Sequence, residues 1–218
     1  MKTIKIKNSS KEYNVGKIVC VGKNYAAHIK EMGGEVPEFP LIFLKPSSSL
    51  IFSGQDIPHP DYSNDLQHEV ELVLLIGKTV KNANKQEAEE AIAGYSVGLD
   101  MTLRDLQRTL VSKGHPWTLA KCFDNSAVVG NFIDKKECNL TLNETITLSV
   151  NGTIRQKSLL NMMLYKPVEI VEYISKKITL EEGDLIFTGT PEGVSKVNVN
   201  DLIYAKIENV SELSTLIV

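Results

Sequence analysis

The segment His68-Glu69-Val70-Glu71-Leu72-Val73-Leu74-Leu75-Ile76-Gly77 constrains the fold more than any other stretch of this chain. Its apolar run with branched side chains, closed by a glycine, reads as a strand over residues 69–76. Two carboxylates two positions apart open that strand, and its two-residue period places both on one face. Two outcomes are open. Either the strand is a sheet edge with Glu69 and Glu71 in water, or both enter the interior, where repulsion and desolvation are costly unless a cation sits between them.

Residues 3–6, 17–21, 41–44, 146–150, 185–188 and 202–207 also alternate or run apolar with β-branched enrichment, and read as strands. Asn151-Gly152, between Leu148-Ser149-Val150 and Thr153-Ile154-Arg155, is the dipeptide a type I′ hairpin needs, because both central residues take positive φ. Helical signals are fewer. Asn84 and Glu87 form a capping box ahead of 88–93, and Pro167 opens a segment with Val168, Val171, Ile174 and Ile178 on one face. A short helix is expected from Thr102, capped reciprocally with Asp105 and carrying Leu103, Leu106 and Leu110 inward. The sum is a strand-rich α+β chain without the βαβ alternation of a doubly wound sheet. At 218 residues and 42% hydrophobic, one domain over 1–218 is expected.

A net charge of −3 with interspersed signs provides no basic stripe for nucleic acid. Cys20, Cys122 and Cys138 form neither an even disulfide framework nor a paired metal knuckle, which fits a reducing, cytoplasmic setting. No apolar stretch has the length of a membrane span, and the first ten residues lack the apolar centre of a secretion signal.

A third acid, Asp100, follows the apolar Gly94-Tyr95-Ser96-Val97-Gly98-Leu99 run and is placed at a strand end. Alone it could be a helix-preceding cap. Together with Glu69 and Glu71 it offers three oxygen ligands with room for water or substrate, which suits Mg²⁺ or Mn²⁺ better than zinc. His28 and Glu31, three apart, share a face if 24–32 is helical, and a carboxylate so placed orients an imidazole base. Gly33-Gly34 directly after could act as a hinge over bound substrate.

Five motifs then occur in order: Gly22-Lys23-Asn24-Tyr25-x-x-His28-x-x-Glu31; Glu69-x-Glu71; Asp100 with Arg104-Asp105-x-Gln107; Lys121-x-Phe123-Asp124; and Gly189-Thr190-Pro191-x-Gly193-Val194. Together they resemble the fumarylacetoacetate hydrolase family, and the compact length is similar to its acylpyruvate hydrolase and oxaloacetate decarboxylase branch. The resemblance implies a mixed β-sandwich roll with a few short helices, usually homodimeric, with Mg²⁺ or Mn²⁺ on the positions matching Glu69, Glu71 and Asp100. It further implies His28 and Glu31 as the water-activating pair, Lys121 as a catalytic lysine and Lys45 as a pocket lysine.

A 2-oxo acid can chelate such a metal through its carboxylate and keto oxygens. Acylpyruvate cleavage and oxaloacetate decarboxylation both leave pyruvate enolate, so one site could serve both. Three carboxylates on one dication leave the site near −1, so cations are expected nearby, with Lys121 and Arg104 the candidates. Gln107 can donate to a substrate oxygen, and the turn carrying Thr190 can hold a carboxylate. His59 and His68 carry no pattern that sets them apart, and His115 is placed at the pocket mouth. The leading expectation is acylpyruvate hydrolysis, with oxaloacetate decarboxylation linked to it. The alternatives are isomerisation of a 2-hydroxy-diene dioate and metal-dependent dicarboxylate binding without turnover.

Overall fold

The computed structural model describes residues 2–218. The strand expected over 69–76 is Val70–Ile76, and every one of its side chains is buried. It is therefore no edge: it lies between Leu185–Phe187 and Ile92–Asp100 near the middle of the large sheet, antiparallel to both. The sheet continues through Ile18–Gly22 to Leu41–Lys45 on one side, and through Ala127–Val129 to Leu50–Phe52 on the other. A second sheet runs Thr153–Leu159, Thr145–Val150, Leu202–Ile207, Ser211–Leu216.

Because strand side chains alternate, the central strand feeds two cores. Val70, Leu72, Leu74 and Ile76 pack with Ile146, Leu148, Ile203 and Ala205 of the second sheet. Val73 and Leu75 pack on the other face with Ile4, Ile6, Tyr13 and Phe132. The result is the strand-rich α+β architecture of two packed sheets with a few short helices. Among the described residues no helix is long and apolar enough to cross a membrane, and all three cysteines are free.

The hairpin turn at Asn151 and Gly152 has φ of 50° and 78°. The capping box is present, with Asn84 accepting from Glu87 N–H at 3.0 Å. That helix spans Lys85–Ala91 and ends two residues before the expected 93, because Ile92 pairs with Ile76 and starts the next strand. Pro167 opens Pro167–Ser175 with Val171 and Ile174 buried, and Ile178 lies beyond its end.

The helix expected from Thr102 needs a larger correction. Thr102–Leu103 is a short strand paired with Leu66–Gln67, and the helix is Arg104–Ser112 with no side-chain cap. Asp105 accepts instead from Ser63 Oγ at 2.6 Å and Asn64 N–H at 2.9 Å, tying the helix start to the preceding loop. Leu103 and Leu106 do face the core as expected, but within the helix the buried side chains are Arg104 and Gln107.

Candidate active site

Strand register brings the three acids together. Val70 lies opposite Leu99 and Glu71 opposite Gly98, while Asp100 N–H donates to Glu69 O at 2.9 Å. Glu69, Glu71 and Asp100 therefore project from one face of two adjacent strands. All three are buried, and one oxygen from each falls within 4.8 Å of the others.

Their partners are unequal. Lys121 Nζ donates to Glu69 Oε2 at 2.8 Å and to Asp100 Oδ2 at 2.6 Å. Arg104 donates to Glu69 Oε1 and Gln107 Oε1, and through Nε to Gln67 at 2.9 Å. Glu71 has no cation of its own: Gly189 N–H donates to its Oε2 at 2.6 Å. Burial alone would raise the Glu69 carboxyl, but Lys121 and Arg104 hold it well below the usual carboxylate range. Burial pushes Glu71 well above that range, and neighbouring Asp100 and Glu69 push the same way. Lys121 is raised because Asp100 and Glu69 outweigh the burial that would lower it.

These residues fit a divalent cation. Three buried carboxylates bring one oxygen each within 4.8 Å of the others, and Glu71 among them is a carboxyl that cannot easily ionise unless positive charge arrives. A small dication bonding oxygen at about 2.1 Å matches the donor set. Lys45, expected in the pocket wall, lies behind the triad and does not line the cavity. Its Nζ is 2.8 Å from Asp100 Oδ1, but its hydrogen bonds go to Ser126 Oγ at 2.9 Å and to the carbonyls of Met101, Lys121 and Ser126. It is a third cation beside the expected Lys121 and Arg104, and with a dication bound the cluster would be net positive.

A cavity of ≈ 350 Å³ opens onto the triad and is also lined by His28, Arg104, Gln107, Lys121 and Thr190. His28 belongs to the helix Ala26–Glu31, and its Nδ1 is 3.1 Å from Glu31 Oε2. Glu31 Oε1 accepts from Gly193 N–H at 3.0 Å. Asn24 anchors the turn before this helix, donating to Thr188 O at 2.7 Å and accepting from Tyr165 N–H at 2.8 Å. Gly33 and Gly34 line the same cavity. Gln107 has its Oε1 taken by Arg104, which leaves its NH₂ for a ligand.

Thr190 is present but differently employed. Its hydroxyl accepts from Gln156 Nε2 and donates to Val70 O, so only its N–H is left for a substrate oxygen. His115 lines an adjoining cavity rather than the main one, whereas Trp117 borders both and meets Phe43 edge-on at 5.6 Å. Sequence reading missed His68, Gln156 and Ser195. His68 is fully buried between Gln156 Oε1 at 2.8 Å and Ser195 Oγ at 2.9 Å.

A buried acidic triad that could hold a divalent metal, beside a carboxylate-supported histidine and a cluster of cations, is the site of a metal-dependent class of enzyme fold. Residues 17–218 match the family described as Fumarylacetoacetate (FAA) hydrolase C-terminal, and the chain belongs to that family. It is 46% identical to the Escherichia coli oxaloacetate tautomerase YcgM over 191 residues, 87% of each chain. It is 44% identical to the mitochondrial oxaloacetate tautomerase FAHD1 of Bos taurus over 193 residues, 88% of this chain and 87% of the relative. The fumarylpyruvate hydrolase of Pseudomonas aeruginosa, solved in complex with Mn²⁺ and pyruvate, superposes with a TM-score of 0.95 at 36% identity, covering 100% of this chain and 95% of that one.

The raised Glu71 carboxyl gives a pH-linked prediction. In the metal-free protein its proton stabilises the fold below the ordinary glutamate value, and that contribution is lost as pH rises through the raised one. Metal binding must displace the proton, so Mn²⁺ affinity should climb with pH across that window. Calorimetry in buffers of different ionisation enthalpy should show proton release on binding. A binding heat independent of buffer would contradict the assignment.

Proposed function

We propose that this chain is a Mg²⁺- or Mn²⁺-dependent enzyme that moves a proton between carbon and oxygen of a small 2-oxo acid, with oxaloacetate keto–enol tautomerisation as its principal reaction. The observation that carries the reading is that His28, braced by Glu31, shares one cavity with the acidic triad. Relatives named for this reaction, similar over nearly their whole length, support it.

Glu69, Glu71 and Asp100 would hold the dication, which would supply Lewis acidity to the site when bound. The remaining steps belong to side chains. Lys121 and Arg104 provide the positive field that draws in the substrate carboxylate, and the free NH₂ of Gln107 donates to a substrate oxygen. His28 takes the proton from the carbon beside the ketone at Nε2, while Glu31 holds Nδ1–H and stabilises the imidazolium. The same nitrogen returns a proton to the oxygen, which completes the enol.

Acylpyruvate hydrolysis is the second reading, favoured by the likeness to a fumarylpyruvate hydrolase. The dyad would then activate water, and the carbon–carbon bond would break to give pyruvate. Oxaloacetate enol absorbance and pyruvate formation, followed with Mg²⁺ and with Mn²⁺, separate the two. Accelerated enol–keto exchange without pyruvate supports tautomerisation. Stoichiometric pyruvate from acetylpyruvate or fumarylpyruvate supports hydrolysis. Neither, despite oxaloacetate binding by calorimetry, would leave a non-catalytic binding protein.

A further inference from the structure

We propose that loop 189–193 is a two-ended clamp that sets the metal triad and the His28–Glu31 pair in register, and that Gln156 is the positioning residue holding the clamp in place. At one end Gly189 N–H grips Glu71 Oε2 at 2.6 Å, and at the other Gly193 N–H grips Glu31 Oε1 at 3.0 Å. Both glycines have positive φ, 98° and 95°, and no room for a side chain. A Cβ on Gly189 would lie 2.6 Å from Asn24 Cβ, and one on Gly193 would lie 2.0 Å from Arg155 O. The backbone at both ends is thus pressed against neighbouring elements, and its two N–H groups are aimed at carboxylates with different tasks.

What holds the loop between those ends is Gln156. It lies on Thr153–Leu159, the edge strand of the smaller sheet, and is that strand's single buried residue. Its four hydrogen bonds admit one arrangement. Val70 N–H donates to Oε1 at 3.1 Å, which fixes the amide orientation. Nε2 must then donate to Thr190 Oγ1 and Pro191 O, each at 2.8 Å. His68 Nδ1 faces Oε1 and so carries the ring proton, while Nε2 accepts from the Ser195 hydroxyl at 2.9 Å. The Thr190 hydroxyl, accepting from Gln156, donates to Val70 O at 2.9 Å. Reversing the amide would set NH₂ against N–H and oxygen against oxygen. A buried network with every proton placed is rigid, and it joins the strand that bears Glu71 to the loop that touches both catalytic carboxylates.

The inference rests on the proposed function for its kinetic consequence, but not for its structural ones. Gln156→Glu keeps the acceptor for Val70 and His68 and replaces the donor with an oxygen facing Pro191 O and Thr190 Oγ1. The loop should loosen at both ends together. Hydrogen exchange at the Gly189 and Gly193 amides should accelerate by about tenfold, as for a lost buried hydrogen bond. Mn²⁺ affinity, read by electron paramagnetic resonance, should weaken roughly 10- to 100-fold, and kcat on oxaloacetate should fall by more than KM rises.

Should Gln156→Glu fail to fold, Ser195→Ala tests the same network from its half-exposed end, with the same paired change in exchange at smaller size. Unchanged exchange and Mn²⁺ affinity in a folded variant would overturn the clamp, as would acceleration at one glycine alone. Wild-type protein that turns over neither oxaloacetate nor acylpyruvates would refute the proposed function, while exchange and Mn²⁺ affinity would still decide the clamp.

Discussion

Glu71→Ala is expected to lower turnover by about 10³-fold or more and yet raise the melting temperature of the metal-free protein. Both signs come from the same imbalance. Glu69 is paired with Lys121 and Arg104, and Asp100 with Lys121 and Lys45, but Glu71 is buried with only the Gly189 N–H against it. Its desolvation and its repulsion by the other two acids are uncompensated until a dication arrives. Removing it relieves the apo fold and removes a ligand.

Glu69→Ala should abolish activity just as fully but with the opposite effect on stability. It strands Arg104 as a buried charge without a carboxylate and leaves Lys121 with Asp100 alone, at a cost of roughly 3–5 kcal/mol. Thermal denaturation of both variants after chelator treatment, with Mn²⁺ added back, checks the contrast. An apo Glu71→Ala protein less stable than wild type would show that Glu71 serves the fold rather than a cation.

His28→Ala is expected to reduce kcat by about 10²- to 10⁴-fold, the range for loss of a general base, while Mn²⁺ binding stays close to wild type. The imidazole lines the cavity but belongs to neither the triad nor the cations that pair with it. Glu31→Gln should produce a smaller loss, because the amide oxygen can still accept from Gly193 N–H while the charge that stabilises the imidazolium is gone. Single-turnover measurements at saturating Mn²⁺ distinguish this from a metal defect. A His28→Ala enzyme with wild-type kcat would move the proton transfer to another group, and Lys121 would be next to examine.

The acidic triad is legible in part from local facts, since period two links Glu69 to Glu71 and a strand ending at Asp100 supplies the third acid, but local pattern left an exposed edge equally open and only the family resemblance assigned the three as ligands. The helical spacing of His28 and Glu31 was equally local. The helix start near Thr102 was misplaced because Leu103 is claimed by a strand pairing with Leu66 that no local pattern announces. Lys45 sits in the right neighbourhood on the wrong side of Asp100, since sequence gives proximity along a strand but not which carbonyls will surround an ammonium.

Gln156 was beyond reach for a sharper reason. Simple register from the Asn151-Gly152 turn sets Arg155 opposite Leu148, but an irregularity between Leu148 and Ser149 advances the partner to Gln156. One extra residue on the strand exchanges an arginine for an amide on the buried face. The strand Ser211–Leu216 has no legible apolar series because its two buried positions are Leu213 and the polar Thr215, while Leu216 falls on the other face.

Anomalous diffraction from crystals soaked in Mn²⁺ tests the central claim most directly. A single strong peak within bonding distance of oxygens from Glu69, Glu71 and Asp100, absent from Glu71→Ala crystals soaked in the same way, is the predicted result. No peak at the triad, or a peak elsewhere while the enzyme turns over, would contradict the account.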